Sequence, residues 1–341
     1  MPKRRKNWAR YDEERLLDMR LCDLGLRLDH TALADRPDRL YDELERRDIR
    51  HKPHMWLSSE WFSPDGIPGI AIPFYLAHPR LRKLEQKHML EVEGGTEGEC
   101  MRILRHEAGH AIDTAYRLHR RKRWREIFGR FGQPYPSTYK PKPNSRNYVV
   151  HLDAWYAQAH PAEDFAETFA VWLSPRSHWR KRYRNWYAAL RKLEYVNDLM
   201  EEIAGQPAPV RSRAQIYPLK DLRTTLRQHY RKKRAHYAVE WDEYYDRDLA
   251  RLFSNEKPHV QRPTAASFLR SMRKDLRERI SEWTGAHIYT VDQVLQDLID
   301  RCREKKLRLA MPANQARQEA VMLVTVHTMN CMHWTHREIP L

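Results

Sequence analysis

Residues 96–118, TEGECMRILRHEAGHAIDTAYRL, decide how the rest of the sequence is interpreted. Gly94 and Gly95 mark a turn before this stretch, and Thr96 with Glu99 forms a capping box, which predicts the start of a helix. Apolar residues then recur at intervals of three and four, which indicates an amphipathic helix. These residues are Met101, Leu104, Ala108, Ala111, Ala115 and Leu118.

The predicted helix contains His106-Glu107-Ala108-Gly109-His110, an HExxH motif. Histidines at i and i+4 lie on one face and can bind the same zinc, while the intervening Glu107 can activate a metal-bound water. Two solvated histidines would give the same pattern, so the motif needs support from a second element. Because a catalytic zinc takes three protein ligands and leaves a fourth position for water, a third ligand should follow downstream.

A second helix should begin at Pro161, a favourable first helical residue, and end before Pro175. Glu163 and Glu167 lie one turn apart on one face of this helix, and its other face is apolar. Carboxylates on the inner face of an apolar helix are costly unless a positive group meets them. A zinc and its imidazoles would meet that need, and the spacing alone leaves Glu163 and Glu167 as alternative ligands.

These elements resemble the gluzincin metallopeptidases, in particular those similar to anthrax lethal factor and the little-studied bacterial zinc-binding metallopeptidases. The resemblance covers residues 96–175 and implies a zincin core that hydrolyses a peptide or amide bond with one zinc per chain. It places the metal ligands on His106, His110 and Glu163 and the general base on Glu107. Glu167 would then be a carboxylate behind the ligands.

The resemblance also suggests further site residues. Tyr156 lies seven residues before Glu163, where the lethal-factor type carries a tyrosine that steadies the oxyanion; Tyr148 is a weaker alternative. Asp113 lies at i+3 from His110 and could orient an imidazole.

The short apolar run at 69–76 contains Pro73, which favours an edge strand. We expect this strand to bind an extended substrate by strand addition, through Gly69, Ile70, Ala71 and Ile72.

The composition of the 341 residues excludes some classes of protein. No run approaches the ~18 apolar residues of a membrane-spanning helix, so an integral membrane protein is not predicted. The net charge of +16 favours anionic partners, such as acidic peptides or nucleic acid, without choosing among them. The four cysteines form no CxxC pair, so no disulfide framework is indicated. The charged N-terminus lacks the apolar stretch of a signal peptide, and we expect a cytoplasmic protein.

The sequence predicts a helix-rich α+β fold, with a zincin-like core, a small sheet whose edge strand faces the cleft, and a helical C-terminal region. Three regions are expected: an N-terminal helical segment at 1–50, the catalytic core at 51–205 and the C-terminal region at 206–341. Within the first region, the leucines have helical spacing: Leu16, Leu17, Leu21, Leu24 and Leu28. Residues 129–147 predict a long loop. Further helices are expected at 177–204, 218–253, 264–281, 291–307 and 314–332.

Two features admit other interpretations. A C-terminal cluster of His327, Cys331, His333 and His336 could hold a second metal or consist of scattered histidines. Basic stretches with aromatic residues at 180–187 and 228–234 could follow a phosphate backbone or form solvated helix faces. The alternatives to a general metallopeptidase are therefore a nucleic-acid- or protein-binding factor with a vestigial zincin site, and an amidase that trims acidic peptide tails.

Overall fold

A computed structural model describes residues 8–31, 33–136, 138–143, 145–237, 245–334 and 339–340. The described residues up to Tyr230, together with Pro340, make one unit, and those from Arg231 to Ile339 make a second. The fold is helix-rich with little sheet, in agreement with the α+β class expected from the sequence.

The first unit contains most of the described secondary structure. Its helices are α1 (Glu13–Leu17), α2 (Asp35–Glu45), α3 (Pro79–Met89), α4 (Glu97–Tyr116), α5 (Lys122–Phe128), α6 (Pro161–Leu173), α7 (Trp179–Arg182) and α8 (Tyr187–Ile203). Its strands are β1 (His54–Ser58), β2 (Gly69–Pro73) and β3 (Thr138–Tyr139). The helix α9 (Leu226–Tyr237) spans the division between the units.

Leu16, Leu17, Leu21 and Leu24 are buried and Leu28 is half-buried, although these leucines do not share one helix. Residues 16–28 do not form one helix, because α1 ends at Leu17 and 3₁₀ turns follow at Leu21–Leu24 and Leu28–His30. Gly25 adopts the left-handed conformation, with φ of 60°, which interrupts the helical path. The spacing of the leucines therefore indicated burial rather than one helix.

Helices α4 and α6 form the centre of the first unit, and both begin where the sequence predicts. The Thr96 hydroxyl accepts a hydrogen bond from the Glu99 N–H, and the Glu99 carboxylate accepts one from the Thr96 N–H. Pro161 is the first residue of α6. The two helices approach closely at Gly109, where a Cβ atom would lie 2.7 Å from the Cα of Ala166. This approach brings the buried polar residues of the two helices together.

A two-stranded parallel sheet packs beside α4. Strand β2 pairs with β1, which the sequence did not predict, and the strand expected over 69–76 gives way to a 3₁₀ turn at Phe74–Ala77. Trp56 Nε1 donates to the Ile216 carbonyl at 3.0 Å, and Ser58 Oγ donates to the Tyr217 carbonyl at 2.8 Å. These two hydrogen bonds attach Ile216 and Tyr217 to β1, and both residues belong to the first unit, which continues to Tyr230.

The second unit is a bundle of helices. Its elements are α10 (Asp246–Leu252), β4 (Phe253–Ser254), α11 (Ala265–Thr284), α12 (Ile288–Glu304), β5 (Arg308–Leu309) and α13 (Ala313–Trp334), followed by β6 (Ile339–Pro340), whose last residue belongs to the first unit. Leu269, Leu276 and Leu295 lie in its buried core. Arg273 bridges α11 and α12 by two hydrogen bonds of 2.7 Å to the Asp292 carboxylate.

Candidate metal centre

The side chains of His106, His110 and Glu163 converge between α4 and α6. Glu163 Oε2 lies 3.0 Å from His106 Nε2 and 3.1 Å from His110 Nε2, and the two Nε2 atoms are 3.2 Å apart. His106 and Glu163 are buried, and His110 is partly buried. In the part of the chain that the structure describes, this is the one group of His, Cys, Asp and Glu that could hold a metal ion.

The spacing of these three atoms fits a zinc ion. Zinc binds imidazole nitrogen at about 2.0–2.1 Å and carboxylate oxygen at about 2.0–2.2 Å, so ligand atoms at tetrahedral angles lie about 3.3–3.5 Å apart. The observed separations of 3.0–3.2 Å need only a small adjustment to reach that spacing. Two imidazoles and one carboxylate are also a donor set that catalytic zinc sites use.

The charges of these groups are strongly coupled. Burial opposes the charged form of His106, but hydrogen bonds with Glu163 and Glu167 outweigh it and raise the pKa of His106 well above its usual value. Burial likewise opposes ionisation of Glu163, but His110 and His106 hold the pKa of Glu163 well below its usual value. Glu163 is therefore an ionised carboxylate, which is the form that binds a metal.

Glu167 lies on the other side of the His106 ring. Its Oε1 is 2.8 Å from His106 Nδ1, and its Oε2 accepts a hydrogen bond of 2.8 Å from the Leu152 N–H. A carboxylate at Nδ1 fixes the orientation of an imidazole and leaves Nε2 for a metal. The geometry thus places Glu163 at the converging Nε2 atoms and Glu167 behind them.

Glu107 is buried beside the three converging groups. Burial raises the pKa of its carboxyl group, and His106 and His110 act in the opposite direction. Its Oε2 atom is buried and takes part in no hydrogen bond with the described residues. A buried carboxylate oxygen without a protein partner is unusual, and it is free to interact with a water molecule or a substrate.

Asp113 is buried on the same helix, but the structure pairs it with a residue that the sequence did not single out. Its Oδ2 lies 2.5 Å from Nδ1 of His119, and its Oδ1 has no hydrogen-bond partner among the described residues. The expected orienting contact between Asp113 and a ligand imidazole is not among the hydrogen bonds of the described residues.

Tyr156 forms part of the wall of the site. Its ring centroid lies 5.5 Å from that of His106, and its hydroxyl forms no hydrogen bond with a described residue. Burial and the nearby Glu163 raise the pKa of Tyr156 well above its usual value, so the hydroxyl remains a proton donor. Ala154 and Trp155, immediately before it, are left-handed with φ of 57° and 54°. Such strained non-glycine residues cluster at functional sites.

Tyr135 is a site residue that the sequence analysis missed. Its hydroxyl donates a hydrogen bond of 2.8 Å to Glu163 Oε1, the oxygen that is not shared with the histidines. Its ring stacks on His160, the N-cap of α6, at a centroid distance of 3.9 Å. The one sequence signal is its position between Pro134 and Pro136, which restricts the conformation of an otherwise irregular loop.

The residues expected to bind substrate lie in β2, and all four are buried: Gly69, Ile70, Ala71 and Ile72. The outer edge of β2 is occupied by the preceding loop, because the Ala71 N–H donates to the Phe62 carbonyl at 2.8 Å. Ser63 Oγ also donates to the Gly69 carbonyl at 2.8 Å. Strand addition therefore stays a prediction, and it requires residues 62–67 to move.

The remaining candidates are not members of the converging group in the part of the chain that the structure describes. Tyr148 packs against Lys192, whose Nζ is 4.0 Å from the ring centroid. In the second unit, His327 Nε2 lies 3.3 Å from Asp248 Oδ2, and Cys331 is buried in the core. The side chain of His333 and all of His336 lie outside the described residues.

In the described part of the chain, no helix has the length and apolar character needed to cross a membrane.

Comparison with known families points in the same direction as the geometry. Residues 74–194, which include α4 and α6, match the sequence model of a family described as "Putative zinc-binding metallo-peptidase". No curated protein and no solved structure matches this chain. The matched segment is thus similar to a zinc-binding metallopeptidase, and the more specific likeness to the lethal-factor type stays a prediction.

Proposed function

We propose that this chain is a zinc-dependent metallopeptidase of the gluzincin type, with a zincin-like core. His106, His110 and Glu163 would hold one zinc, and Glu107 would be the general base. The observation that carries the proposal is the buried triangle of Nε2 and Oε2 atoms with sides of 3.0–3.2 Å. The match of residues 74–194 to a zinc-binding metallopeptidase family supports it.

Glu107 distinguishes a catalytic site from a structural or vestigial one. A structural zinc uses four protein ligands and has no need of an extra buried carboxylate. Here three ligand groups converge, and the buried Oε2 of Glu107 has no partner among the described residues. This favours an enzyme over a binding factor with a vestigial zincin site.

The chemistry divides between the metal and the protein. Bound zinc polarises the scissile carbonyl and lowers the pKa of a water molecule. Glu107 accepts the proton of the attacking water at its free carboxylate oxygen and passes it to the leaving amine. Its pKa, raised by burial, makes the protonated form accessible for that second step. Glu167 holds His106 in the orientation that presents Nε2.

Tyrosine hydroxyls are the donors available to a developing oxyanion. Tyr156 fits this role, because its hydroxyl stays protonated and makes no hydrogen bond with the described residues. Tyr135 has a different role, since its hydroxyl already donates to Glu163 Oε1. We assign to Tyr135 the positioning of the ligand carboxylate.

The substrate would be a peptide or protein. The charge of +16 suits an acidic substrate, which keeps an amidase that trims acidic tails as a narrower form of the same proposal. Strand addition at Gly69–Ile72 is retained only with displacement of residues 62–67. The cytoplasmic location expected from the sequence likewise stays a prediction.

The test compares the wild-type chain with Glu107→Gln on a library of proteome-derived peptides, with cleavage read by mass spectrometry. We expect the variant to keep its zinc and its melting temperature while losing hydrolysis, because Glu107 contacts water rather than metal. Both proteins are purified in parallel, so a contaminating protease would appear in both samples. Equal cleavage by the variant would contradict the proposal, as would a wild-type protein without zinc.

A further inference from the structure

A pocket with a basic lining lies on the first unit, between α6 and α8. Its volume is about 450 Å³, and it is open to solvent. The residues that line it are His178, Lys181, Arg182, Arg184, Asn185 and Trp186. Cationic side chains gathered around a concave surface create a local positive potential that attracts anions.

The cations around this pocket are not neutralised by acidic neighbours in sequence. Residues 176–191 include six Lys or Arg and no Asp or Glu. The ion pairs of the described residues do not involve Lys181, Arg182 or Arg184, although the exposed Arg227 pairs with two carboxylates. A solvated helix face usually mixes both signs of charge, so the composition of this surface favours an anionic ligand.

The surface is held in a defined conformation. Arg176 and His178 are left-handed, with φ of 57° and 43°, in the turn that precedes α7. The buried Tyr183 fixes the residues that follow α7, because its hydroxyl accepts a hydrogen bond of 3.0 Å from the Val150 N–H. Strained turns that persist in a fold are frequent at binding sites. The cations therefore project from a fixed frame rather than from a free loop.

Aromatic rings accompany the charges. Tyr187, the first residue of α8, is 82% exposed, and the half-buried Trp186 lines the pocket. Guanidinium groups match the geometry of phosphate, and exposed aromatic rings stack on unpaired bases. An acidic peptide would use the cations but would leave the exposed Tyr187 ring without a role. A duplex would keep its bases stacked on each other and out of reach of the ring.

We propose that this surface binds single-stranded nucleic acid, with Arg182 and Arg184 on the phosphates and Tyr187 stacked on a base. The surface forms whether or not the metal centre hydrolyses peptides. The same 148–152 segment that Tyr183 anchors also meets the metal centre, through the hydrogen bond from the Leu152 N–H to Glu167. A strand bound here would lie on the same unit as the candidate peptidase site.

The experiment measures the binding of a fluorescein-labelled oligo-dT of about 16 nucleotides to the full-length chain by fluorescence anisotropy, over a series of salt concentrations. For single strands, log K falls with log salt with a slope of about −0.7 per phosphate contact. Replacing Arg182 and Arg184 together by Gln should therefore make this slope less negative by about 1.4. Tyr187→Ala should weaken binding about tenfold without changing the slope, because it removes stacking and no charge.

The matched control removes the same charge elsewhere on the first unit. Lys220 and Arg223 are exposed, and they lie in a segment whose backbone is hydrogen-bonded to the N-terminal residues Leu21 and Cys22. Both are replaced by Gln in the control. Equal changes in the two double variants would overturn the proposal, since general charge would then explain the binding. Tighter binding of a labelled polyglutamate peptide than of oligo-dT would also overturn it and favour an acidic peptide. Unchanged circular-dichroism melting shows that each variant is folded.

Discussion

Replacing Gly109 by Ala should weaken the metal site by separating α4 from α6. A Cβ at this position would lie 2.7 Å from Ala166 Cα and 3.1 Å from the Ala166 carbonyl oxygen. Because carbon atoms in contact sit about 3.5–4.0 Å apart, the helices must move apart by about 1 Å. Both atoms belong to the backbone, so a side-chain rotation cannot relieve the clash. Ala166 lies between Glu163 and Glu167, and the shift would carry both carboxylates away from the histidines.

The change in the free energy of unfolding of Gly109→Ala follows from two opposing effects. Overpacking costs about 1–3 kcal/mol, and the better helix propensity of Ala returns about 1 kcal/mol. The net loss in the free energy of unfolding should thus be about 0–2 kcal/mol, and the chain should still fold. A misplacement of about 1 Å at a functional group can cost about 100-fold, so we expect zinc affinity to fall about 10- to 100-fold.

The assay is a competition titration of zinc against a chelator, together with thermal unfolding. Gly98→Ala is the matched control, because Gly98 lies on the same helix and a Cβ there would meet nothing within 4 Å. This control should keep its zinc affinity and should not lose stability. If Gly109→Ala binds zinc as tightly as Gly98→Ala does, the close approach of the helices does not hold the site together.

Three further predictions concern residues around the site. Glu163→Ala should abolish tight zinc binding, whereas Glu167→Ala should weaken zinc binding only about 10- to 100-fold, because Glu167 contacts a ligand and not the metal. Chelator titrations of both variants would give the reverse order if Glu167 is the ligand. Tyr135→Phe keeps the ring stacked on His160 but removes the hydroxyl that donates to Glu163, so zinc should dissociate faster from the variant. An unchanged rate of zinc dissociation would show that Tyr135 does not position Glu163. Lys192→Met should lower stability by about 1–3 kcal/mol, because it leaves the buried Asp164, whose Oδ2 lies 2.6 Å from Lys192 Nζ, without its partner. The cost is not that of a full buried charge, because burial raises the pKa of Asp164 to about 7 and the carboxyl can become neutral. An unfolding curve like that of the wild type would show that this pair is not important for folding.

The sequence predicted the two helices of the site because their start positions are marked by neighbouring residues in the sequence. The capping box at Thr96 and the proline at 161 fix where α4 and α6 begin, and these starts set which residues share a face. Once both helices are placed, the spacing of His106 and His110 along α4 and of the carboxylates along α6 follows from 3.6 residues per turn. The sequence left open which glutamate meets the Nε2 atoms, because that depends on how the two helices cross.

The parts that the sequence did not predict depend on contacts between distant residues. Tyr135 reaches Glu163 from an irregular loop, 28 residues before it. Strand β1 has no alternation of apolar and polar residues, and its identity depends on pairing with β2. The edge of β2 is covered by the bridge from Phe62 and by the hydrogen bond from Ser63 to the Gly69 carbonyl. Such contacts have no periodic signature, so the sequence did not indicate that the chain itself occupies this edge.

A crystal structure of the zinc-loaded protein, with anomalous scattering measured at the zinc edge, would show where the metal binds and which residues hold it. We expect one anomalous peak per chain, within about 2.0–2.2 Å of His106 Nε2, His110 Nε2 and an oxygen of Glu163. Glu107 should be near the peak without binding it. A peak coordinated by Glu167 in place of Glu163, or no peak between α4 and α6 in zinc-loaded crystals, would show that His106, His110 and Glu163 do not form the zinc site.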